Sequence, residues 1–309
     1  MMRALRRLGT VVVVAVAVAA IIAFGLHDQR VAEPSPTLPA TPHGYLGIYD
    51  PGMPASDSGL TAFGAQTGTR PNVAVYYSGW MEPFQIHFAQ EVTWRGVVPL
   101  VQIDPQGISL AAVARGRYDG YLVSFAQAVR GLGHPVIIGF GHEMNGNWYS
   151  WGRGKTSPAD FVAAWRHIVN LFRTWEVPNV TWLWTINSLA GGPGDAAAPK
   201  AWWPGASYVN WVGIDGYFYY QDESFQTVFG RTISAIREFT RDPVLISETG
   251  VSLAAGRAAT IPRLFAGARS ARMLGVVYFD ANGYRDWALS GDTPALAAFG
   301  RSARAFGRP

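Results

Sequence analysis

Eight short apolar segments, separated by stretches of helical periodicity, constrain the fold of this chain most strongly. The segments are Tyr45–Asp50, Asn72–Tyr77, Gly96–Ile103, Pro135–Gly141, Asn179–Thr185, Tyr208–Gly216, Pro243–Glu248 and Leu274–Asp280. Strands that alternate with helices predict a parallel sheet, and eight of them in about 260 residues predict a (β/α)8 TIM barrel in one domain. A doubly wound open sheet is the alternative, but its first strand usually ends in a Gly-rich phosphate loop. Here the first strand runs into Tyr49-Asp50-Pro51-Gly52, which is a turn.

Composition excludes several classes of protein and site. Of the 309 residues, 49% are apolar and 15% are charged, which favours a large core over disorder. The net charge of +4 includes no basic patch with interleaved aromatic residues, so we expect no nucleic-acid partner. The absence of cysteine excludes disulfides, thiolate metal sites and a cysteine nucleophile. We expect no metal or other cofactor, and a monomer.

The first 26 residues predict a signal anchor or a signal peptide, and residues 27–43 predict a Pro-rich linker. Leu8–Leu26 carries no charge, follows three arginines and is nearly long enough to cross a bilayer core. A cleaved signal peptide has a similar pattern, although no small-residue cleavage site follows Leu26. The linker, with prolines at 34, 36, 39 and 42, should be a semi-rigid spacer. We expect residues 44–309 to form the folded domain, exported to the extracellular or cell-envelope face of the membrane.

Two strand ends carry the carboxylates that suggest chemistry. The run Gly-His-Glu-Met-Asn-Gly-Asn-Trp-Tyr-Ser-Trp-Gly at 141–152 directly follows the fourth apolar segment, and Glu248 ends the seventh. Active sites of barrels lie at the C-terminal ends of the strands, so Glu143 and Glu248 should face one cleft. A carboxyl group can donate or accept a proton, and glycoside hydrolysis usually needs two such groups.

Other strand ends also carry polar and aromatic side chains. They are Tyr77 and Trp80, Gln102 and Asp104, Trp184 and Asn187, Asp215 and Tyr217, and Tyr278 and Asp280. Because aromatic rings stack on sugars, we expect Trp80 and Trp184 to contribute to substrate binding.

The sequence resembles glycoside hydrolase family 26. Residues 142–146, His-Glu-Met-Asn-Gly, with Trp148 and Trp151 after them, resemble the acid/base motif of that family. Residues 246–250 resemble its nucleophile strand, residues 203–217 resemble its sixth-strand region, and the likeness extends from about Gly44 to Leu289. The family consists of retaining (β/α)8 enzymes, chiefly β-mannanases, with some β-1,3-1,4-glucanases and β-1,3-xylanases.

The resemblance implies a role for each matching residue. Glu143 resembles the general acid/base and Glu248 the nucleophile, and His142 resembles the residue beside the acid/base that helps hold the sugar. Trp148 would be a sugar platform. Tyr217 would donate a hydrogen bond to the nucleophile, and Asp215 would support the same site.

The sequence departs from the family at two positions. The residue four before Glu143 is commonly Arg, and here it is Gly139, which removes a cation from beside the catalytic carboxylates. Tyr278 stands where a Trp is expected, which implies a smaller platform under the scissile sugar.

The function implied by the resemblance is a retaining endo-β-glycosidase acting on a β-1,4-mannan-like polysaccharide. A mixed-linkage β-1,3-1,4-glucanase is the alternative within this class. A non-catalytic carbohydrate-binding barrel is the alternative outside it.

Overall fold

A closed barrel of eight parallel strands, in chain order, forms the centre of the structure. The computed structural model describes residues 37–190, 198–283 and 285–307. The strands are β1 Tyr45–Tyr49, β2 Val73–Gly79, β3 Val98–Asp104, β4 Val136–Phe140, β5 Val180–Asn187, β6 Trp211–Asp215, β7 Val244–Thr249 and β8 Gly275–Phe279. Each strand pairs in parallel with its neighbours, and β8 closes the barrel against β1. The predicted (β/α)8 fold is therefore confirmed.

Helices follow most of the strands and cover the outside of the barrel. They are α1 Ser58–Thr67, α2 Ile86–Trp94, α3 Leu110–Ala114, α4 Asp119–Leu132, α5 Pro158–Thr174, α6 Arg231–Arg237, α7 Arg257–Ser270 and α8 Thr293–Phe306. The start of α5 shows why the sequence predicts it well: the Ser157 side chain accepts a hydrogen bond from the Asp160 backbone N–H, and Pro158 follows at the first helical position. A π-helical turn, Gln226–Gly230, precedes α6, and short 3-10 turns cover Pro199–Trp202, Ala206–Tyr208 and Leu253–Ala255.

Alternation along the strands divides the core into two parts. Side chains that point into the barrel form one buried cluster, which includes Val75, Leu100, Ile137, Leu245 and Val277. Their neighbours on the same strands point outward into a larger cluster between the strands and the helices. Successive side chains of a strand point to opposite faces. The register of each strand therefore decides whether a given aromatic residue can reach the cleft.

The last residues of the predicted linker belong to the barrel. Leu38 packs against the interior cluster, and its backbone N–H donates to Thr181 Oγ1 at 3.0 Å. The Tyr45 hydroxyl donates to the carbonyl of Pro39 at 2.7 Å. Both Tyr45 and Thr181 lie at the N-terminal ends of their strands, so this segment covers the end of the barrel opposite the predicted active site. The folded domain therefore begins before residue 44.

Two further features concern only the part of the chain that the structure describes. Among those residues, no helix combines the length and apolar character needed to cross a bilayer. In the same ranges, no group of three or more His, Asp or Glu side chains is arranged to hold a metal ion. The predicted segment Leu8–Leu26 lies outside the described residues and stays a prediction.

Candidate active site

A tight backbone turn carries Glu143 from the end of β4 to the mouth of the barrel. Gly141 and Glu143 have φ angles of 56° and 54°, in the left-handed region. For a residue with a side chain this conformation costs about 1–2 kcal/mol, and such strain is common at functional sites. The Glu143 N–H donates to the Thr185 carbonyl on β5 at 3.0 Å, which ties the turn to the barrel.

Two side-chain donors hold the Glu143 carboxylate. Asn187 Nδ2 donates to Oε1 at 2.6 Å, and Trp148 Nε1 donates to Oε2 at 2.8 Å. Asn145 fixes Asn187 in turn, because its side chain donates to the Asn187 carbonyl at 2.8 Å and accepts from the Asn187 N–H at 2.9 Å. Only 7% of Glu143 is exposed. The carboxylate is thus buried and oriented, with one donor at each oxygen.

Two phenols hold the Glu248 carboxylate. The Tyr77 hydroxyl donates to Oε1, and the Tyr217 hydroxyl donates to Oε2 at 2.7 Å. The contact from Tyr217 is the one that the sequence predicts, whereas Tyr77 was assigned no role. Glu248 follows a register shift in β7, which pairs it with Asp215 of β6. Adjacent residues of a regular strand point to opposite faces, and Ser247 faces inward. The shift lets the neighbouring Glu248 reach the cleft as well.

Burial raises the pKa of Glu248 from its ordinary 4.5 to about 7. The positive charge of His142 lowers this pKa, the charge of Glu143 raises it, and the hydrogen bonds from the two phenols lower it. Burial also raises the pKa of Asp215 well above its usual range, reinforced by the charges of Glu248 and Glu143. Ser247 Oγ donates to Asp215 Oδ1 at 2.6 Å, so Asp215 lies beside the Glu248 strand, as predicted for a supporting residue.

His142 supplies a cation next to both carboxylates. Burial lowers its pKa, but the Asp104 carboxylate and the charges of Glu248 and Glu143 outweigh that effect and raise the pKa to about 9. Its Nδ1 lies 3.1 Å from Asp104 Oδ1, and its Nε2 lies 3.1 Å from the Tyr149 hydroxyl. Only 2% of its surface is exposed, and the raised pKa favours the protonated imidazole at neutral pH.

The space beside Gly139 is filled by Gln102. A Cβ atom at position 139 would lie 1.8 Å from Gln102 Oε1 and 2.7 Å from its Cδ. Gln102 is 1% exposed, and its Nε2 donates to Thr185 Oγ1 at 3.2 Å. The missing arginine is therefore replaced by a neutral side chain from β3, and His142 is the cation that lowers the pKa of Glu248.

The structure brings most of the predicted site residues together. Glu143, Glu248, His142 and Tyr217 meet at the C-terminal ends of the strands through the contacts above. Trp148 combines its hydrogen bond to Glu143 with 43% exposure, so its ring is accessible to a ligand.

Three predicted substrate contacts lie elsewhere. Tyr278 is fully buried between β8 and the helices, where its ring packs on Phe299 and its hydroxyl donates to the Trp287 carbonyl at 3.0 Å. Trp184 is fully buried against Trp203 on the same outer side of the barrel. These two predictions were wrong because both residues occupy outward positions of their strands. Trp80 is half-buried. Its ring packs on the outer side of the barrel, against those of Tyr118, Tyr121 and Phe140.

Several residues of the cleft were not assigned roles from the sequence. On β8 the inward residue is Phe279, whose ring stacks on Tyr49 at 4.5 Å. Tyr77 and Asn187 are residues near strand ends that only the structure connects to the two glutamates, and Asp104 contacts His142. Val73, Val75 and Tyr77 lie two residues apart along β2 and all face the interior. This period of two is the sequence signal that could have identified Tyr77.

Comparisons with known proteins show which family the sequence matches. The model of the family described as "Glycosyl hydrolase family 26" matches residues 72–251. The chain is 26% identical to Endoglucanase H of Acetivibrio thermocellus, over 82% of this chain and 31% of that protein. It is 28% identical to a mannan endo-1,4-beta-mannosidase of Bifidobacterium adolescentis, over 36% of this chain and 10% of that protein. The chain thus spans less than a third of the length of either relative.

A solved structure shows the same fold. The GH26 domain of an endo-beta-mannanase/endo-beta-glucanase from Prevotella bryantii superposes with a TM-score of 0.63. The match covers 82% of this chain and 88% of that domain, at 14% identity. At this identity the likeness concerns the fold.

Proposed function

The chain belongs to glycosyl hydrolase family 26, and from that premise we propose that it is a retaining endo-β-glycosidase acting on a β-1,4-mannan-like polysaccharide. One observation carries the proposal: two buried carboxylates, Glu143 and Glu248, end strands β4 and β7 at the same mouth of one barrel, each held by two donors. A site that only binds sugar has no need of two buried carboxylates, because burying a charge costs free energy. The arrangement therefore favours catalysis over the non-catalytic alternative.

The two carboxylates have different roles in a double displacement. In the first step, ionised Glu248 attacks the anomeric carbon while protonated Glu143 gives its proton to the leaving glycosidic oxygen. This breaks the C–O bond and forms a glycosyl ester on Glu248. In the second step, the Glu143 carboxylate removes a proton from water, the water oxygen attacks the anomeric carbon, and Glu248 leaves as a carboxylate.

The surroundings of each carboxylate suit these roles. The phenols of Tyr77 and Tyr217 and the cation of His142 all favour the ionised form of Glu248, as a nucleophile requires. Trp148 offers an exposed ring beside Glu143, where a sugar could stack. The pair Tyr49 and Phe279 adds a second aromatic surface near Tyr217, whose ring centre lies 6.1 Å from that of Phe279.

A β-glucan is the second candidate substrate, and one comparison favours it. Endoglucanase H aligns with 82% of the chain, whereas the mannosidase aligns with 36%. Mannose and glucose differ in the orientation of the 2-hydroxyl group, which contributes strongly to binding in the transition state. The two substrates should therefore differ mainly in turnover.

Purified full-length protein should be incubated with mannan, glucomannan, lichenan and xylan, and the products separated by chromatography. Release of a series of oligosaccharides from mannan supports the proposal and endo action. Exclusive hydrolysis of lichenan supports the glucanase. If the protein binds any of these polymers but hydrolyses none of them, the result supports the non-catalytic carbohydrate-binding barrel.

We also propose that the enzyme works outside the cytoplasmic membrane. The apolar segment Leu8–Leu26 with arginines before it supports export. So does the substrate class, since a polysaccharide does not cross a bilayer. The part of the linker that precedes Leu38 would separate the segment from the barrel.

A further inference from the structure

We propose that Tyr77 is a second positioning residue for the nucleophile, forming with Tyr217 a two-phenol clamp on Glu248. The inference rests on the proposed function, because it takes Glu248 as the nucleophile. The phenols of Tyr77 and Tyr217 together form this clamp. Neither the sequence motifs nor the comparisons assign a role to Tyr77.

The two phenols reach Glu248 from different parts of the barrel. Tyr77 belongs to β2, and Tyr217 follows β6, so the strands that carry them are separated by β3, β4 and β5 on one side. Their hydroxyl groups donate to different oxygen atoms, Oε1 and Oε2. A carboxylate bound through both oxygens cannot rotate about its last bond without losing a charge-assisted hydrogen bond. The clamp therefore fixes the plane of the attacking group.

Both phenols remain donors throughout the working pH range. Burial raises the pKa of Tyr77 well above 10, and the negative charge of Glu248 raises it further. The same two causes, in the same order, raise the pKa of Tyr217. Neither hydroxyl therefore ionises, so each keeps the hydrogen atom that it donates. The hydrogen atoms of both phenols are thus directed at Glu248 whenever it is ionised.

Neighbouring rings hold Tyr77 in place. Its ring centre lies 5.1 Å from that of Tyr49 in an edge-on arrangement, and 5.4 Å from that of His142. Tyr77 therefore connects the nucleophile with the imidazole that follows β4. With Gln102 occupying the space beside Gly139, the clamp and the His142 charge together stabilise an ionised Glu248 without an arginine at that position.

The clamp predicts a specific kinetic defect. Without the Tyr77 hydroxyl, Glu248 keeps one donor, its pKa rises and its plane is less well fixed. The pKa of Glu248 should increase by about one unit, as expected for loss of one hydrogen bond to the charged form. Since the phenol acts on the nucleophile, kcat should fall by roughly 10–100-fold and KM should change by less than about 3-fold.

The experiment compares three Tyr→Phe variants of the full chain with the wild type. Tyr77→Phe and Tyr217→Phe each remove one arm of the clamp, and both should move the acid limb of the kcat/KM profile to higher pH. Tyr45→Phe is the matched control, because it removes a phenol from the opposite end of the barrel, where Tyr45 donates to Pro39. The control should leave the profile unchanged. Thermal unfolding and near-ultraviolet circular dichroism verify that each variant is folded.

A second measurement does not depend on turnover. Carbon-13 NMR of protein labelled at the glutamate carboxyl carbons follows the titration of Glu248, with Glu248→Gln to assign its signal. An upward shift in Tyr77→Phe supports the clamp. If Tyr77→Phe titrates like the wild type while Tyr217→Phe shifts, the clamp is refuted. If instead the wild type hydrolyses no glycan and forms no covalent adduct on Glu248 with a 2-fluoro glycoside, the proposed function fails, and the titration still decides whether Tyr77 binds the carboxylate.

Discussion

Replacing Glu248 with glutamine should stabilise the folded protein above neutral pH, even though it removes the proposed nucleophile. Burial raises the pKa of Glu248 from 4.5 to about 7, so folding favours its protonated form. The associated stability is fully present below pH 4.5 and is lost as the pH rises through 7. A difference of about 2.5 between the two pKa values corresponds to about 3 kcal/mol at pH 8, and to about 1 kcal/mol at pH 5.

Glutamine removes this cost because it has the same shape and does not ionise. Its amide can still contact both phenols, since a tyrosine hydroxyl can accept as well as donate. Loss of the Glu248 charge also relieves Asp215, whose pKa that charge raises. The second effect has the same sign as the first, so the two add above neutral pH.

The assay is denaturant or thermal unfolding of wild type and variant at pH 5 and pH 8. A stabilisation of about 3 kcal/mol corresponds to an increase in Tm of about 6 °C for a domain of this size. Glu176→Gln is the control, because the Glu176 side chain is 81% exposed and its ion pair with Arg130 is long, at 3.7 Å. The difference in stability between the control and the wild type should be the same at the two pH values.

The reasoning is refuted if Glu248→Gln is less stable than the wild type at pH 8. It is equally refuted if the gain is the same at pH 5 and pH 8, because an effect that does not depend on pH cannot come from ionisation of Glu248. In the first case the hydrogen bonds of the carboxylate would outweigh its desolvation, and in the second case the two effects would balance.

Four further predictions concern mechanism and location. A crystal structure should place the Glu143 and Glu248 carboxyl groups about 5–5.5 Å apart, as in retaining enzymes, and a separation beyond about 9 Å would contradict the assignment. Glu248→Ala should abolish turnover, whereas Glu143→Ala should retain activity on aryl glycosides with good leaving groups and be rescued by azide; identical behaviour of the two variants would exclude these roles. Asp104→Asn should lower the pKa of His142, leave the imidazole neutral at pH 7 and so raise the pKa of Glu248, which should move the acid limb of kcat/KM to higher pH. If Leu8–Leu26 is an anchor, fractionation should find the protein in the membrane pellet, and protease added to intact cells should degrade it. If the segment is cleaved, the protein should be in the medium with a new N-terminus after Leu26. Intact protein in the cytoplasm would refute export.

Periodicity predicted the barrel because the eight strands are marked by features local in the sequence. Each is a short run of apolar residues, and a residue at its C-terminal end must lie at the same end of the barrel as its counterparts. Glu143 and Glu248 follow from this rule alone. Glu248 reaches the cleft although its neighbour Ser247 faces inward, because the register of β7 shifts there.

The errors arose where the face of a strand decides the outcome. Tyr278 and Phe279 are neighbours in sequence, but Tyr278 faces the helices and Phe279 faces the cleft. A one-residue difference in register decides which of the two can contact a ligand. The same parity places Trp184 outside the barrel and Tyr77 inside it. Contacts across the barrel, such as that between Tyr77 and Glu248, join residues 171 apart in the sequence. No local pattern specifies them.

The contact between Gly139 and Gln102 determines how this cleft can be re-engineered. A Cβ at 139 would overlap the amide of Gln102, so the arginine common in the family can be introduced there only if the buried Gln102 side chain moves. Shortening Gln102 alone would leave a void in the barrel and deprive Thr185 of its donor. Each single change is expected to be harmful, while the pair has room to be tolerated. A scan of one position at a time would therefore underestimate what the two positions tolerate, and a library that varies them jointly is the more direct way to a cleft with a second cation.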